Sequence, residues 1–107
     1  MAKINIEIEE VLRKAIERLR EHTPIDAAYL FGSYAVGDAK EDSDIDLAAF
    51  GPEVGKIPVE EKVKIIARVQ MEIGASVEIH LFDTSCLEKA RPTNIFGVIL
   101  ENGTKIK

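Results

Sequence analysis

Between residues 43 and 50 acidic and apolar residues alternate, Ser43-Asp44-Ile45-Asp46-Leu47 leading into Ala48, Ala49 and Phe50. A period of two is that of a strand with two unlike faces, one that seeks a core and one that seeks water or ions. Such a strand needs partner strands for its backbone and a packed layer for its apolar face. The chain on either side offers both.

Before it, Ile8, Val11, Leu12, Ala15, Ile16 and Leu19 recur at helical spacing, with Glu9, Glu10, Arg13, Lys14, Arg18 and Arg20 filling the other side. The spacing predicts an amphipathic helix that Thr23 and Pro24 end, followed by a short apolar strand over 25–31 that stops at Gly32 and Ser33. After it, Gly51, Pro52, Gly55 and Pro58 mark a break. Val59, Val63, Ile66, Val69 and Ile73 then predict a second long helix stopped by Gly74. Residues 75–82 alternate again, with Val77, Ile79 and Leu81 on one face and Ser76, Glu78, His80 and Phe82 on the other. Residues 84–91 read as weakly helical, 94–101 as a short helix opened by Pro92, and 104–106 as a small edge strand. The order helix, strand, strand, helix, strand, helix predicts an α/β (α+β) chain, a small mixed sheet with helices packed on one face.

Its length of 107 residues suits a single domain over 1–107, and 46% hydrophobic with 31% charged residues is the balance of a globular protein. No apolar run approaches the roughly 20 residues needed to span a bilayer, so a cytoplasmic protein without membrane contact is expected. The one cysteine, Cys86, offers neither an internal disulfide nor a zinc site. A net charge of −5 argues against extended nucleic-acid binding, which rests on Lys and Arg facing phosphates. A nucleotide bound here needs local help from metal ions.

Asp44 and Asp46, at i and i+2 of one strand, share a face about 6 to 7 Å apart at the backbone and can converge on shared cations. Phosphoryl transfer uses such pairs because two metal ions about 4 Å apart clamp the attacking and leaving oxygens. Magnesium suits this arrangement, since it prefers a few carboxylates with phosphate oxygens and water. Gly32 lets backbone approach a phosphate, and a helix beginning after Ser33 would offer free amides beside the Ser33 hydroxyl. Taken singly, Gly-Ser is a common turn and two acids a common solvated face. Their joint spacing is what points to triphosphate chemistry.

The segment Gly32-Ser33-Tyr34-Ala35-Val36-Gly37 through Ser43-Asp44-Ile45-Asp46-Leu47 resembles the signature of the polymerase β nucleotidyltransferase superfamily. Length, N-terminal helix and the ending Phe96-Gly97-Val98-Ile99-Leu100 resemble more specifically the minimal nucleotidyltransferases, the antitoxin partners of HEPN-domain toxins. The resemblance implies a polymerase β-type fold, two Mg²⁺ ions and ATP as substrate. It implies that Gly32 and Ser33 seat the phosphates and that Asp44 and Asp46 hold metal. It also implies a third carboxylate on a later strand, for which Glu78 is the match, aligning the attacking hydroxyl. His80 shares that face and reads as a bystander.

The activity so implied is transfer of AMP onto a hydroxyl, a tyrosine of a partner HEPN toxin, in a hetero-oligomer. Val36 stands where active members commonly carry arginine, and valine makes no bidentate phosphate contact. The alternative is therefore an antitoxin that neutralises its ribonuclease by binding alone. Ile95, Phe96, Val98, Ile99 and Leu100 either close the core or form part of a partner contact.

Overall fold

In the computed structural model, which describes residues 6–31, 45–73 and 77–107, the two long apolar periodicities are helices α1 (Ile6–Arg20) and α2 (Val59–Ile73). Leu12, Ala15, Ile16 and Leu19 of α1 are buried, while Glu9, Glu10, Arg13 and Lys14 are exposed, as the helical period demands. The helix ends where the amides of His22 and Thr23 both donate to the Leu19 carbonyl, at 2.9 and 3.0 Å, just before Pro24.

The short apolar segment expected over 25–31 is strand β1 (Ala27–Phe31), the alternating segments are β2 (Ile45–Gly51) and β3 (Val77–Asp83), and a two-residue strand β4 (Thr104–Lys105) completes the sheet. Their order is β3-β2-β1-β4, with β1 antiparallel to β2 and to β4, and β2 parallel to β3. A parallel pair needs a crossover, and α2 provides it between β2 and β3. The sheet is thus mixed, with β2 inside it.

Period-two alternation divides the side chains between two clusters. On one face Ala28, Leu30, Ile45, Leu47, Ala49, Val77, Ile79 and Leu81 pack against α1 and against Val69 of α2. Gln70 of α2 donates its amide to the Val77 carbonyl at 2.7 Å, tying the crossover helix to the start of β3. On the other face Ala27, Tyr29, Phe31, Ala48, Phe50 and Phe82 form a second cluster, which helix α3 (Ile95–Asn102) covers with Phe96 and Ile99.

The long helices share one face, as expected, whereas α3 takes the opposite face. Its position follows from its aromatic content: Phe82 meets Phe96 edge to face at 5.1 Å and lies 5.5 Å from Phe50. Residues 84–91 were expected to be weakly helical, and Thr84–Lys89 form a 3-10 helix capped by Asp83. Another 3-10 turn, Val54–Lys56, fills the break before α2. The expected edge strand is β4, beyond which the Ile106 amide donates to the Ala28 carbonyl at 2.8 Å. No helix among the described residues is long and apolar enough to cross a membrane.

Candidate functional site

Phe31, Asp46 and Glu78 lie side by side on three adjacent strands, because β1 pairs Phe31 with Asp46 and β2 pairs Asp46 with Glu78. Strand neighbours sit about 4.8 Å apart, so the two carboxylates stand next to each other on the aromatic face of the sheet. Two residues further along β3, His80 pairs with Ala48 and points to the same face.

The result is a cluster of two carboxylates and an imidazole. One potential ligand atom from each of Asp46, Glu78 and His80 lies within 4.8 Å of the other two. His80 Nε2 is 3.6 Å from Asp46 Oδ1 and 3.9 Å from Glu78 Oε1. Asp46 is the sheltered acid, its side chain 25% exposed against 58% for Glu78. Glu78 therefore reaches toward solvent, where an incoming group would meet it.

Phe31 packs edge-on against the His80 ring at 5.2 Å, and Phe82 stacks at 6.4 Å with 11° between the planes. The aromatic face thus forms one wall of the cluster. Gly32, Ser33 and Asp44 lie outside the described residues, as does Val36. Of the five residues singled out in the sequence, Asp46 and Glu78 are thus brought together. A groove of about 700 Å³ lined by His22, Ile65, Arg68 and Met71 lies on the helix side and includes none of this cluster.

His80 is the residue that sequence reasoning set aside. Its signal was present in the i, i+2 spacing from Glu78, but only the parallel register shows that its ring returns to Asp46.

At the far end of β3, Asp83 has a different role. Its Oδ1 accepts from the Ser85 hydroxyl at 2.7 Å and the Ser85 amide at 3.0 Å, and its Oδ2 accepts from the Gly55 amide at 2.7 Å. These bonds hold its carboxyl below the usual aspartate value, the Ser85 hydroxyl contributing most. Asp83 is a fastener between two 3-10 turns, remote from Asp46 along the paired strands.

Fold and cluster together define a class: a small α+β domain that presents neighbouring carboxylates from adjacent parallel strands, the inner β2 and the edge β3. The chain belongs to the polymerase β nucleotidyltransferase family, whose profile, described as Polymerase beta, Nucleotidyltransferase, matches residues 13–106. It is 33% identical over 73 residues to MJ1379 of Methanocaldococcus jannaschii, named as a candidate protein adenylyltransferase, covering 68% of this chain and 73% of that one. MJ1215 of the same organism bears the same description and is 49% identical over 41 residues. That match spans 38% of this chain and 48% of the relative, so about half of MJ1215 is matched.

The fold is shared with a candidate nucleotidyltransferase of Sulfolobus solfataricus, at TM-score 0.68 and 18% identity, covering 98% of this chain and 89% of that one. It is shared with a chain from a toxin-antitoxin crystal structure with AMP-PNP, at TM-score 0.65 and 22% identity, covering 90% and 72%. A third likeness is to a chain from the complex of tri-AMPylated Shewanella oneidensis HEPN toxin with MNT antitoxin. There the TM-score is 0.61 and the identity 19%, with 92% and 71% covered.

Proposed function

We propose that this chain is a Mg²⁺-dependent protein adenylyltransferase that acts as an antitoxin, moving AMP from ATP onto a tyrosine hydroxyl of a HEPN-domain toxin bound to it. The observation that carries this reading is the register of β2 with β3, which sets Asp46 beside Glu78 on one face. Its family membership and the names of its two relatives support adenylyl transfer. The toxin-antitoxin assemblies that share its fold support the partner.

The donors suit a divalent cation: carboxylate oxygens a few ångströms apart, beside a buried nitrogen, His80 Nε2, with no hydrogen-bond partner among the described residues. Asp44, Asp46 and Glu78 are assigned as the holders of two Mg²⁺ ions, and Gly32 with Ser33 as the cradle of the phosphates. When bound, the ions neutralise phosphate charge and polarise the reacting oxygens. In the transfer the tyrosine oxygen forms a bond to the α-phosphorus, the bond to the bridging oxygen breaks, and pyrophosphate leaves. Glu78, the more exposed acid, aligns the hydroxyl and takes up its proton.

The partner supplies the acceptor, since one sheet face is occupied by α1 and α2 and the other is shared between the cluster and α3. Ile95, Val98 and Leu100 of α3 are 48%, 45% and 41% exposed, and they extend the site face as an apolar contact for that partner. Residues 1–107 act as one catalytic domain in the cytoplasm, where ATP and Mg²⁺ are supplied. A second reading, neutralisation by binding alone, is carried by Val36 in the place of a phosphate-gripping arginine.

The deciding experiment is co-expression with the protein encoded beside it, purification through a tag on one chain, and mass spectrometry of the other. Addition of AMP to a tyrosine that disappears in Asp46→Asn is the expected result. Co-purification without modification would leave binding alone. A neighbour that neither binds nor is modified, with a small metabolite labelled instead, would overturn the partner reading.

A further inference from the structure

We infer that His80 is itself a cation ligand, giving this site a nitrogen donor beside Asp46 and Glu78 and a preference for first-row transition ions over magnesium. The inference rests on the reading of Asp46 as a metal-holding residue and goes beyond it in naming the third donor and its consequence.

Three observations lead to it. His80 Nε2 is buried and has no hydrogen-bond partner among the described residues, which is unusual because buried polar atoms in folded proteins are nearly always satisfied. Its distances to Asp46 Oδ1 and Glu78 Oε1, 3.6 and 3.9 Å, exceed the roughly 3.2 Å limit of a good hydrogen bond. They match the separation of two atoms bound to one ion instead: bonds of about 2.0 to 2.2 Å hold neighbouring ligands about 3 to 4 Å apart.

The third observation is that the ring is held in place. Phe31 meets it edge-on at 5.2 Å and Phe82 stacks on it at 6.4 Å, so its direction is set by packing on two sides. Held 3.6 and 3.9 Å from the two carboxylates, Nε2 is placed as a preorganised third donor. The physical consequence is selectivity, since imidazole nitrogen favours the later first-row ions while carboxylate and water suit magnesium. Magnesium can still occupy the site where it is far more abundant, but Co²⁺ binds it more tightly for its nitrogen.

The test uses the full chain loaded with Mn²⁺ alone and read by pulsed electron paramagnetic resonance, which detects a nitrogen bonded to the ion. Expected is an imidazole nitrogen coupling that changes when histidine is labelled with ¹⁵N, persists in His22→Gln and vanishes in His80→Gln. In titration calorimetry, His80→Gln should lower the ratio of Co²⁺ to Mg²⁺ affinity about tenfold. Mn²⁺ binding that depends on Asp46 but shows no nitrogen coupling would overturn the role of His80 and leave the metal site standing. Binding that is indifferent to Asp46→Asn would overturn both. If His80→Gln does not fold, the isotope comparison on the His22→Gln chain, whose one histidine is His80, still decides.

Discussion

At the level of single residues, Asp46 and Glu78 differ in exposure in a way that suits the separate roles proposed for them. Asp46 is sheltered beside Phe31 and His80, whereas Glu78 stands more than half exposed at the rim. A sheltered carboxylate suits a fixed ligand, and an exposed one suits contact with an incoming hydroxyl. Glu78→Gln keeps shape and hydrogen bonding but removes the charge. It should slow AMP transfer by about 10² or more in single-turnover assays while nucleotide binding is largely kept. Wild-type transfer rates in the variant would return Glu78 to an ordinary surface acid.

Asp83 allows a prediction whose sign is set by its lowered pKa. The folded chain stabilises the ionised form, so Asp83 contributes stability at pH values above its unfolded value, near 3.8, and the contribution fades as pH falls through the lower folded value. Asp83→Asn should therefore be less stable than the parent at neutral pH, with the difference shrinking below about pH 4. Urea melts at pH 7 and pH 3 read this directly, and an equal difference at both would contradict the assignment.

Among the elements, α3 shows how a short helix is placed by its contacts. Asn94 caps it by accepting the Gly97 amide at 3.0 Å through Oδ1, which also accepts the Arg91 amide at 3.1 Å. The same tight turn brings the Arg91 carbonyl against Gly97, so a Cβ at position 97 would overlap that oxygen. Because backbone must move to relieve the clash, Gly97→Ala should cost about 1 to 3 kcal/mol. The expected loss in thermal midpoint is about 5 °C or more, with Phe96 released from Phe82. An unchanged melting temperature would show that the turn gives way easily. The α2 crossover has the opposite character: Val69 is wholly buried while Val59, Val63 and Met71 stay exposed, so one stripe alone holds it.

For the molecule as a whole, the two faces of one sheet have separate tasks. One carries the aliphatic core under α1 and α2, and the other carries aromatic packing and the acidic cluster. A ligand bound at the second face would add to global stability, because a ligand that binds only the folded chain shifts its unfolding equilibrium. Mg²⁺ with a non-hydrolysable ATP analogue at about 100 times its Kd should add about 2.7 kcal/mol, a rise of several degrees in melting temperature. Asp44→Asn combined with Asp46→Asn should abolish that rise. A rise that survives the double substitution would place the metal elsewhere.

What the sequence determined by itself was local. Helical periods identified α1 and α2, a short apolar run identified β1, and two-residue periods identified β2 and β3, placing Glu78 and His80 on one face of β3 and Asp46 on the acidic face of β2. Those assignments hold because side-chain direction follows backbone period whatever the neighbours are. The tertiary structure decided what no local pattern contains: that β3 pairs with β2 in parallel, in the register that sets Glu78 opposite Asp46, and that α3 crosses to the aromatic face. Register depends on how α2 spans the two strands and on which apolar sets fit together across the core, and both are properties of segments far apart in the chain. The place of His80 among the candidate ligands was hidden for that reason, since its distance to Asp46 exists only once both strands are paired.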